Sequence, residues 1–212
     1  MILMIGASVL SLCVCLPLFM YYRKAMRYAL GALFKSLSTV CALIPALVAA
    51  LRLDSQCWFC AVALAFCVIA DFLLEFSLYA GAGCFIAGHL MYISFFLRLY
   101  PFSVTHVVCL AVLLLFMAGL FWRWRSRMGQ KLSFFIVYGL VLCVMTACAV
   151  AGGMTAYTLQ GTLIALGGAL FYVSDVMVCR NLLFPGGRHL PWLTMAVYES
   201  AQLLLGISCL FI

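Results

Sequence analysis

Apolar positions in this chain neither alternate nor keep to one helical face. They run almost unbroken for about twenty residues, stop at a short polar stretch, and resume. Such runs lie at roughly 2–20, 28–51, 57–77, 82–99, 102–122, 132–151, 158–178 and 193–212. Each matches the length an α-helix needs to cross the hydrocarbon core of a bilayer. A barrel strand would alternate apolar with polar residues. A helix satisfies its own backbone hydrogen bonds and can therefore lie in lipid. The pattern predicts an all-α, polytopic membrane protein of about eight transmembrane helices, forming one domain over residues 1–212 with short loops and no linker. The first run has no basic stretch before it and no small-residue cleavage site, and Arg23, Lys24 and Arg27 follow it directly. It therefore reads as a membrane span and not as a signal peptide.

Composition sharpens this picture. The chain is 69% hydrophobic and 8% charged, whereas a water-facing domain carries roughly 25% charged residues. The net charge of +7 does not point to nucleic acid, because the basic residues cluster at the ends of apolar runs. Arg23, Lys24 and Arg27 follow the first span, Arg123, Arg125, Arg127 and Lys131 the fifth, and Arg180 and Arg188 the seventh. The even loops carry only Arg52 and Arg98. The positive-inside rule then expects the odd loops in the cytoplasm and both termini outside it, and the short loops fit a bacterial inner membrane. The 12 cysteines lie nearly all inside the runs, where they behave as small hydrophobes. Cys57-Trp-Phe-Cys60 has a redox-motif spacing without thioredoxin-like surroundings, so packing is expected of it. Tyr100, Trp122, Trp124 and Trp192 fall near span ends, where amphipathic rings favour the interface.

Small residues recur every fourth position: Ser38, Ala42, Ala46 and Ala50 in the second span, Gly161, Ala165 and Ala169 in the seventh. Such stripes predict close helix–helix seams. Ala70-Asp71 ends the third span and Ser174-Asp175 ends the seventh, four spans later, which would suit a 4+4 parallel repeat.

The embedded charges carry the functional signal. Asp54 sits in a loop beside Arg52, but Asp71, Glu75, Asp175 and Glu199 lie within the predicted spans. A carboxylate at mid-bilayer costs ~2.5–3.5 kcal/mol even on an insertion scale, so such residues mark function by default. Odd spans end, and even spans begin, on the same side. Asp71, Glu75 and Asp175 near their span ends, and Lys35, His89 and Glu199 near their span starts, therefore share one layer. At 1.5 Å per residue that layer lies ~5–12 Å inside one face. Asp71 and Glu75 share a helical face at i, i+4, as do Tyr198 and Gln202, while His89 and Tyr92 are spaced i, i+3. Lys35 shares a stripe with Ser38 and Thr39, and one embedded lysine leaves some of these carboxyl groups without a cation. His106 opens the fifth span on the opposite side. His189 lies in the Gly-rich loop Pro185-Gly-Gly-Arg188-His189, which is too short for a nucleotide motif. A zinc site from His89, His189 and the aspartates would have no recognised ligand spacing.

Asp71-Phe-Leu-Leu, Gly88-His89-x-x-Tyr92, Gly168-Ala-x-Phe171-x-x-Ser174-Asp175 and Tyr198-x-x-Ala201-Gln202, in that order and spacing, resemble the lysoplasmalogenase-like (YhhN-type) membrane family, and Lys35 fits the same pattern. The resemblance runs from about the second span to the eighth. It implies an eight-span hydrolase that cleaves the vinyl-ether bond of lysoplasmalogens, giving a fatty aldehyde and a glycerophospho-ethanolamine or -choline. A lysophospholipid substrate, surrounding membrane lipid, and no metal, cofactor or nucleic acid are implied with it. Lys35, Asp71, His89, Tyr92, Ser174, Asp175, Tyr198 and Gln202 carry over as site residues. Ala70 stands where the pattern has glycine, and Glu75 and Glu199 are additional acids.

Vinyl-ether hydrolysis needs a protonated carboxylic acid to give a proton to carbon, and a negative charge beside the oxocarbenium ion that develops. Asp71 and Asp175 are expected to divide those roles, in either order, with His89 orienting one of them or the water. The lipid phosphate is expected near Arg188, since Arg98 falls on the other face. The competing expectation is a proton-coupled transporter using the same carboxylates. Against it stand the one-sided cluster and the absence of any predicted break near the middle of a span. A purely structural membrane protein is the third reading.

Overall fold

A computed structural model describes residues 2–185 and 190–212 of the chain. Nearly all of them are helical, and no strand occurs among the described residues. The first helix, α1, runs through Ile2–Val9, Leu10–Cys15 and Leu16–Lys24. It is followed by α2 (Tyr28–Arg52), α3 (Cys57–Leu74), α4 (Leu78–Leu99), α5 (Val104–Met128), α6 (Leu132–Ala156), α7 (Leu159–Leu183) and α8 (Leu190–Ser208). Seven segments are long and apolar enough to cross a membrane, the longest being Val104–Ala156. That segment contains both α5 and α6: the chain reverses at Gly129, whose φ of 53° a side chain would resist. Gly139 then comes to lie against Phe121 and Met117, so the segment is an antiparallel hairpin and the bundle has eight crossings. The multi-pass, all-α expectation holds.

Local sequence sets the turns. Ser77 caps α4 by accepting from the Ala80 amide, and Thr158 caps α7 by accepting from Gly161. Ser103 and His106 form a reciprocal cap on α5. Hydropathy misplaced some boundaries: α3 ends at Leu74 and not 77, α4 begins at Leu78 and not 82, and α5, α6 and α7 each run about one and a half turns further. Glu75 is consequently the cap residue after α3 and not a member of the span. The expectation of uninterrupted spans also needs correction at α1. Residues Leu10–Cys15 are wound as a π-helix, with the Leu16 amide bonded to the Ser11 carbonyl. Pro17 supplies the cause: its ring would strike the carbonyl four residues back, and a wider turn relieves that clash.

Successive helices pack as α1–α2–α3–α4 and as α5–α6–α7–α8, while α4 and α5 make little contact with each other. The two sets join where α4 packs on α6 and α2 on α8. Exchanging one set for the other exchanges these two contacts, so the packing has the symmetry of the 4+4 parallel arrangement. The predicted small-residue seams are present. Gly206 of α8 meets the Ala42 carbonyl of α2, and Gly153 of α6 meets Gly161 and Ala165 of α7, approaches that leave no room for a Cβ. Leu115, Phe116, Val112 and Val137 are among many exposed apolar side chains, a surface suited to lipid.

Candidate active site

Lys35 and Thr39 project from one face of α2, Asp71 comes from the last turn of α3, and Tyr198 and Gln202 from one face of α8. These helices bring them together around Asp71, which is fully buried. Asp71 Oδ2 accepts from Thr39 Oγ1 at 2.5 Å and from the Tyr198 hydroxyl at 2.8 Å. Its Oδ1 faces Lys35 Nζ at 3.4 Å. Gln202 Nε2 donates to the Tyr198 oxygen at 2.8 Å, and Tyr92 donates to Gln202 Oε1 at 3.0 Å. Every donor in this series points toward Asp71, an arrangement made for a carboxylate anion. Lys35 Nζ also lies 3.9 Å from Glu75 Oε1, and Glu75 Oε2 lies 3.7 Å from Arg23 Nε at the end of α1.

Asp175 of α7 has different neighbours. Tyr138 of α6 donates to its Oδ2 at 2.6 Å. His89 of α4 places Nε2 3.4 Å from the Tyr138 oxygen and 3.9 Å from Asp175 Oδ2. The imidazole is fully buried and lies edge-on to Phe171, with ring centroids 5.0 Å apart. Lys35 pairs with Asp71 and Glu75 but not with Asp175. The Asp175 side chain is 11% exposed where that of Asp71 is 0%, so Asp175 is the more open of the two.

Both carboxylates line a single cavity of about 70 Å3. Apart from them, Lys35, Tyr138 and Tyr198, its wall is mostly apolar, including Leu74, Phe85, Phe135 and Met195. A second cavity of about 230 Å3 shares Lys35, Leu74, Leu78, Val178, Leu182 and Met195 with the first. It adds Arg23, Glu75, Asn181 and Thr194, which lie at the end of the bundle where α1, α3 and α7 finish. The site therefore has a polar, charged mouth, a carboxylate pair beneath it, and an apolar interior.

The profile of the YhhN family matches residues 30–209, a span that contains Lys35, Asp71, His89, Asp175 and Tyr198. The chain belongs to the YhhN family. No curated protein and no solved structure gives a significant match. The helix α1, which supplies Arg23 and Ser11, lies outside the span matched to the YhhN family.

The YhhN-family site absorbs the predicted residues unevenly. Lys35, Asp71, Asp175 and Tyr198 line the central cavity, and Glu75 lines its mouth. His89, Tyr92 and Gln202 stand behind these residues, linked by hydrogen bonds to Tyr138 or, in the case of Tyr92 by way of Gln202, to Tyr198. Ser174 donates to the Phe171 carbonyl at 2.7 Å within its own helix, so it shapes α7 and does not face the cavity. Glu199 turns the other way, into a pocket with α1 and α2: Ser11 donates to its Oε2 at 3.4 Å and shares a 2.7 Å hydrogen bond with Ser38. Arg188 and His189 lie outside the described residues. Arg98 stacks on Phe59, 4.3 Å from the ring centroid, at the opposite end of the bundle, and His106 is engaged in capping α5. Among the described residues, no three His, Cys, Asp or Glu side chains converge as a set of metal ligands.

Tyr138, Thr39 and Arg23 are the site residues that the sequence reading did not select. Tyr138 was within its reach: as the seventh residue of an even helix, it falls in the layer that holds Lys35 and His89. Arg23 was counted only as a topology signal, although it is the half-exposed cation at the mouth.

Proposed function

We propose that this YhhN-family protein is a membrane-embedded hydrolase of the vinyl-ether bond in lysoplasmalogens, releasing a fatty aldehyde and a glycerophospho-ethanolamine or -choline. The observation that carries the reading is the unlike pair of carboxyl groups on one lipid-depth cavity. Asp71 sits in an ion pair with two hydroxyl donors and is the anion. Asp175 has Tyr138 and the neighbouring imidazole but no lysine or arginine within salt-bridge distance, among the described residues, and is the proton donor.

In this mechanism the Asp175 carboxyl gives its proton to the second carbon of the alkenyl chain. The oxygen-bearing first carbon becomes an oxocarbenium ion, stabilised by the Asp71 carboxylate across the cavity. Water adds to that carbon and returns a proton to Asp175. The hemiacetal then breaks its bond to the glycerol oxygen, which takes up the hydroxyl proton, and the aldehyde leaves. Tyr138 holds Asp175, and His89 holds Tyr138, so both are positioning residues. The headgroup occupies the mouth, with its phosphate at Arg23. The basic loops after α1, α5 and α7 support a mouth on the cytoplasmic side of the membrane.

The test is aldehyde release from a lysoplasmalogen by purified protein in detergent, with Asp175→Asn alongside. Turnover by wild type and its loss in the variant support the reading. A folded wild-type protein that releases no aldehyde would sink it and bring forward the carrier that the same carboxylates could serve.

A further inference from the structure

Apolar space continues from Asp175 to the lipid-facing side of the bundle. Behind Tyr138 lies a narrow slot of about 30 Å3 that shares Phe135, Tyr138, Asp175 and Cys179 with the central cavity. It is walled further by Met117, Phe121 and Gly139. Those three residues in turn line a groove of about 330 Å3 between α5 and α6. Beyond Asp175 and the Tyr138 hydroxyl the path is closed in by apolar side chains, glycine and one indole. It is open at its outer end, where Ile136 and Leu140 are 40% and 48% exposed. The helix α5 packs chiefly on α6 and only slightly on α7, and the residues lining the groove come from α5 and α6.

The length of the path suits one hydrocarbon chain. From Trp124 to Leu114 the path follows α5 for ten residues, about 15 Å at 1.5 Å per residue. That is half of a ~30 Å hydrocarbon core, the depth of one leaflet. Gly139 sits where the slot passes into the groove: a Cβ there would come within 3.1 Å of Phe121 Cζ and 3.6 Å of Met117 Cγ.

We infer that the α5–α6 groove binds the hydrocarbon chain of a single-chain lysophospholipid and that Gly139 governs the chain length accepted, an inference that rests on the vinyl-ether reading for the identity of that chain as the alkenyl chain. The continuity from the reacting carboxyl to lipid names the occupant: a chain whose first carbons lie at Asp175 runs past Tyr138 and on between the two helices. The headgroup at Arg23 and the chain at Gly139 then place the scissile bond between them.

The experiment compares wild type, Gly139→Leu and Ala118→Phe on lysoplasmalogens with short, medium and long alkenyl chains. Ala118 is exposed on the groove's α5 wall, so its variant tests the same path where the larger side chain meets no packed core. The ratio of long-chain to short-chain kcat/KM is expected to fall about tenfold or more in both variants, the size of effect a filled apolar pocket produces. An unchanged ratio in both, with turnover retained, overturns the inference and leaves the hydrolase reading standing. If wild type hydrolyses no vinyl ether, a lysophosphatidylcholine with a photoactivatable group near its chain end reads the groove directly. Labelling concentrated on 114–121 and 136–140, and diminished by Gly139→Leu, supports the groove. Labelling spread evenly over the lipid-facing helices overturns it.

Discussion

Asp71 and Asp175 occupy corresponding places in the two halves but meet opposite surroundings, and each substitution should report that difference. Asp175→Asn removes the proposed proton donor and should lower turnover ~100-fold or more, the usual worth of general acid catalysis. It should leave thermal stability nearly unchanged, because Asp175 balances no lysine or arginine among the described residues. Asp71→Asn should abolish turnover and also destabilise, since it leaves the buried Lys35 only its longer contact with Glu75 at 3.9 Å; losing a buried partner outright costs about 3–5 kcal/mol, which sets the ceiling here. The double variant Lys35→Met/Asp71→Asn should recover much of that stability and none of the activity. Melting curves with an aldehyde assay separate these outcomes, and equal destabilisation by the two single variants would contradict the assignment. Tyr138→Phe should slow turnover while costing roughly 1 kcal/mol in stability, the net worth of one hydrogen bond. The charged members of this site were legible in the sequence because burying charge in lipid is costly and therefore informative. Tyr138 carries no such penalty and looks like any tyrosine near a span end. Thr39 was placed on the stripe with Lys35, yet its bond to Asp71 depends on how α2 and α3 rotate against each other, which spacing within one helix does not determine.

Among the helices, the α2–α8 seam aligns the donors to Asp71. Gly206 lies against the Ala42 carbonyl, so Gly206→Val should push the helices apart and draw Tyr198 away from Asp71. A loss of about 1–3 kcal/mol, as overpacking produces, should accompany reduced turnover. Gly119→Ala on α5, which has nothing within 4 Å of the new methyl group, is the matching control and should behave as wild type. Thermal unfolding in detergent checks both, and a Gly206→Val protein as stable as the control would show that the seam is looser than described. The number and type of helices could be read directly from the apolar runs. Their ends could not, because Arg123, Arg125 and Arg127 extend α5 past the apolar run, and long basic side chains can reach the interface from there. Pro17 was visible in the sequence, but whether a proline kinks a helix or widens it into a π-turn depends on what the freed groups find nearby.

For the whole molecule, the 4+4 arrangement places two carboxylate-bearing helices, α3 and α7, around one cavity whose mouth opens at a single end of the bundle. The basic loops are the ground for proposing that this end faces the cytoplasm. In a cysteine-free background, Gln130→Cys should react with an impermeant thiol reagent only from the cytoplasmic side, and Phe102→Cys only from outside. The reverse pattern would invert the proposed orientation while leaving the site intact. The depth of the charged layer was legible because span parity alone sets it. The division of that layer between the Asp71–Asp175 cavity and the separate Ser11–Glu199 pocket was not, since it depends on which helices are neighbours. The most direct test of the central claim is to run the reaction on a lysoplasmalogen in deuterium oxide and analyse the aldehyde by mass spectrometry. Proton transfer from Asp175 to carbon predicts one solvent deuterium on the carbon next to the aldehyde, formed by wild type and not by Asp175→Asn. Aldehyde released without deuterium at that carbon would contradict the mechanism.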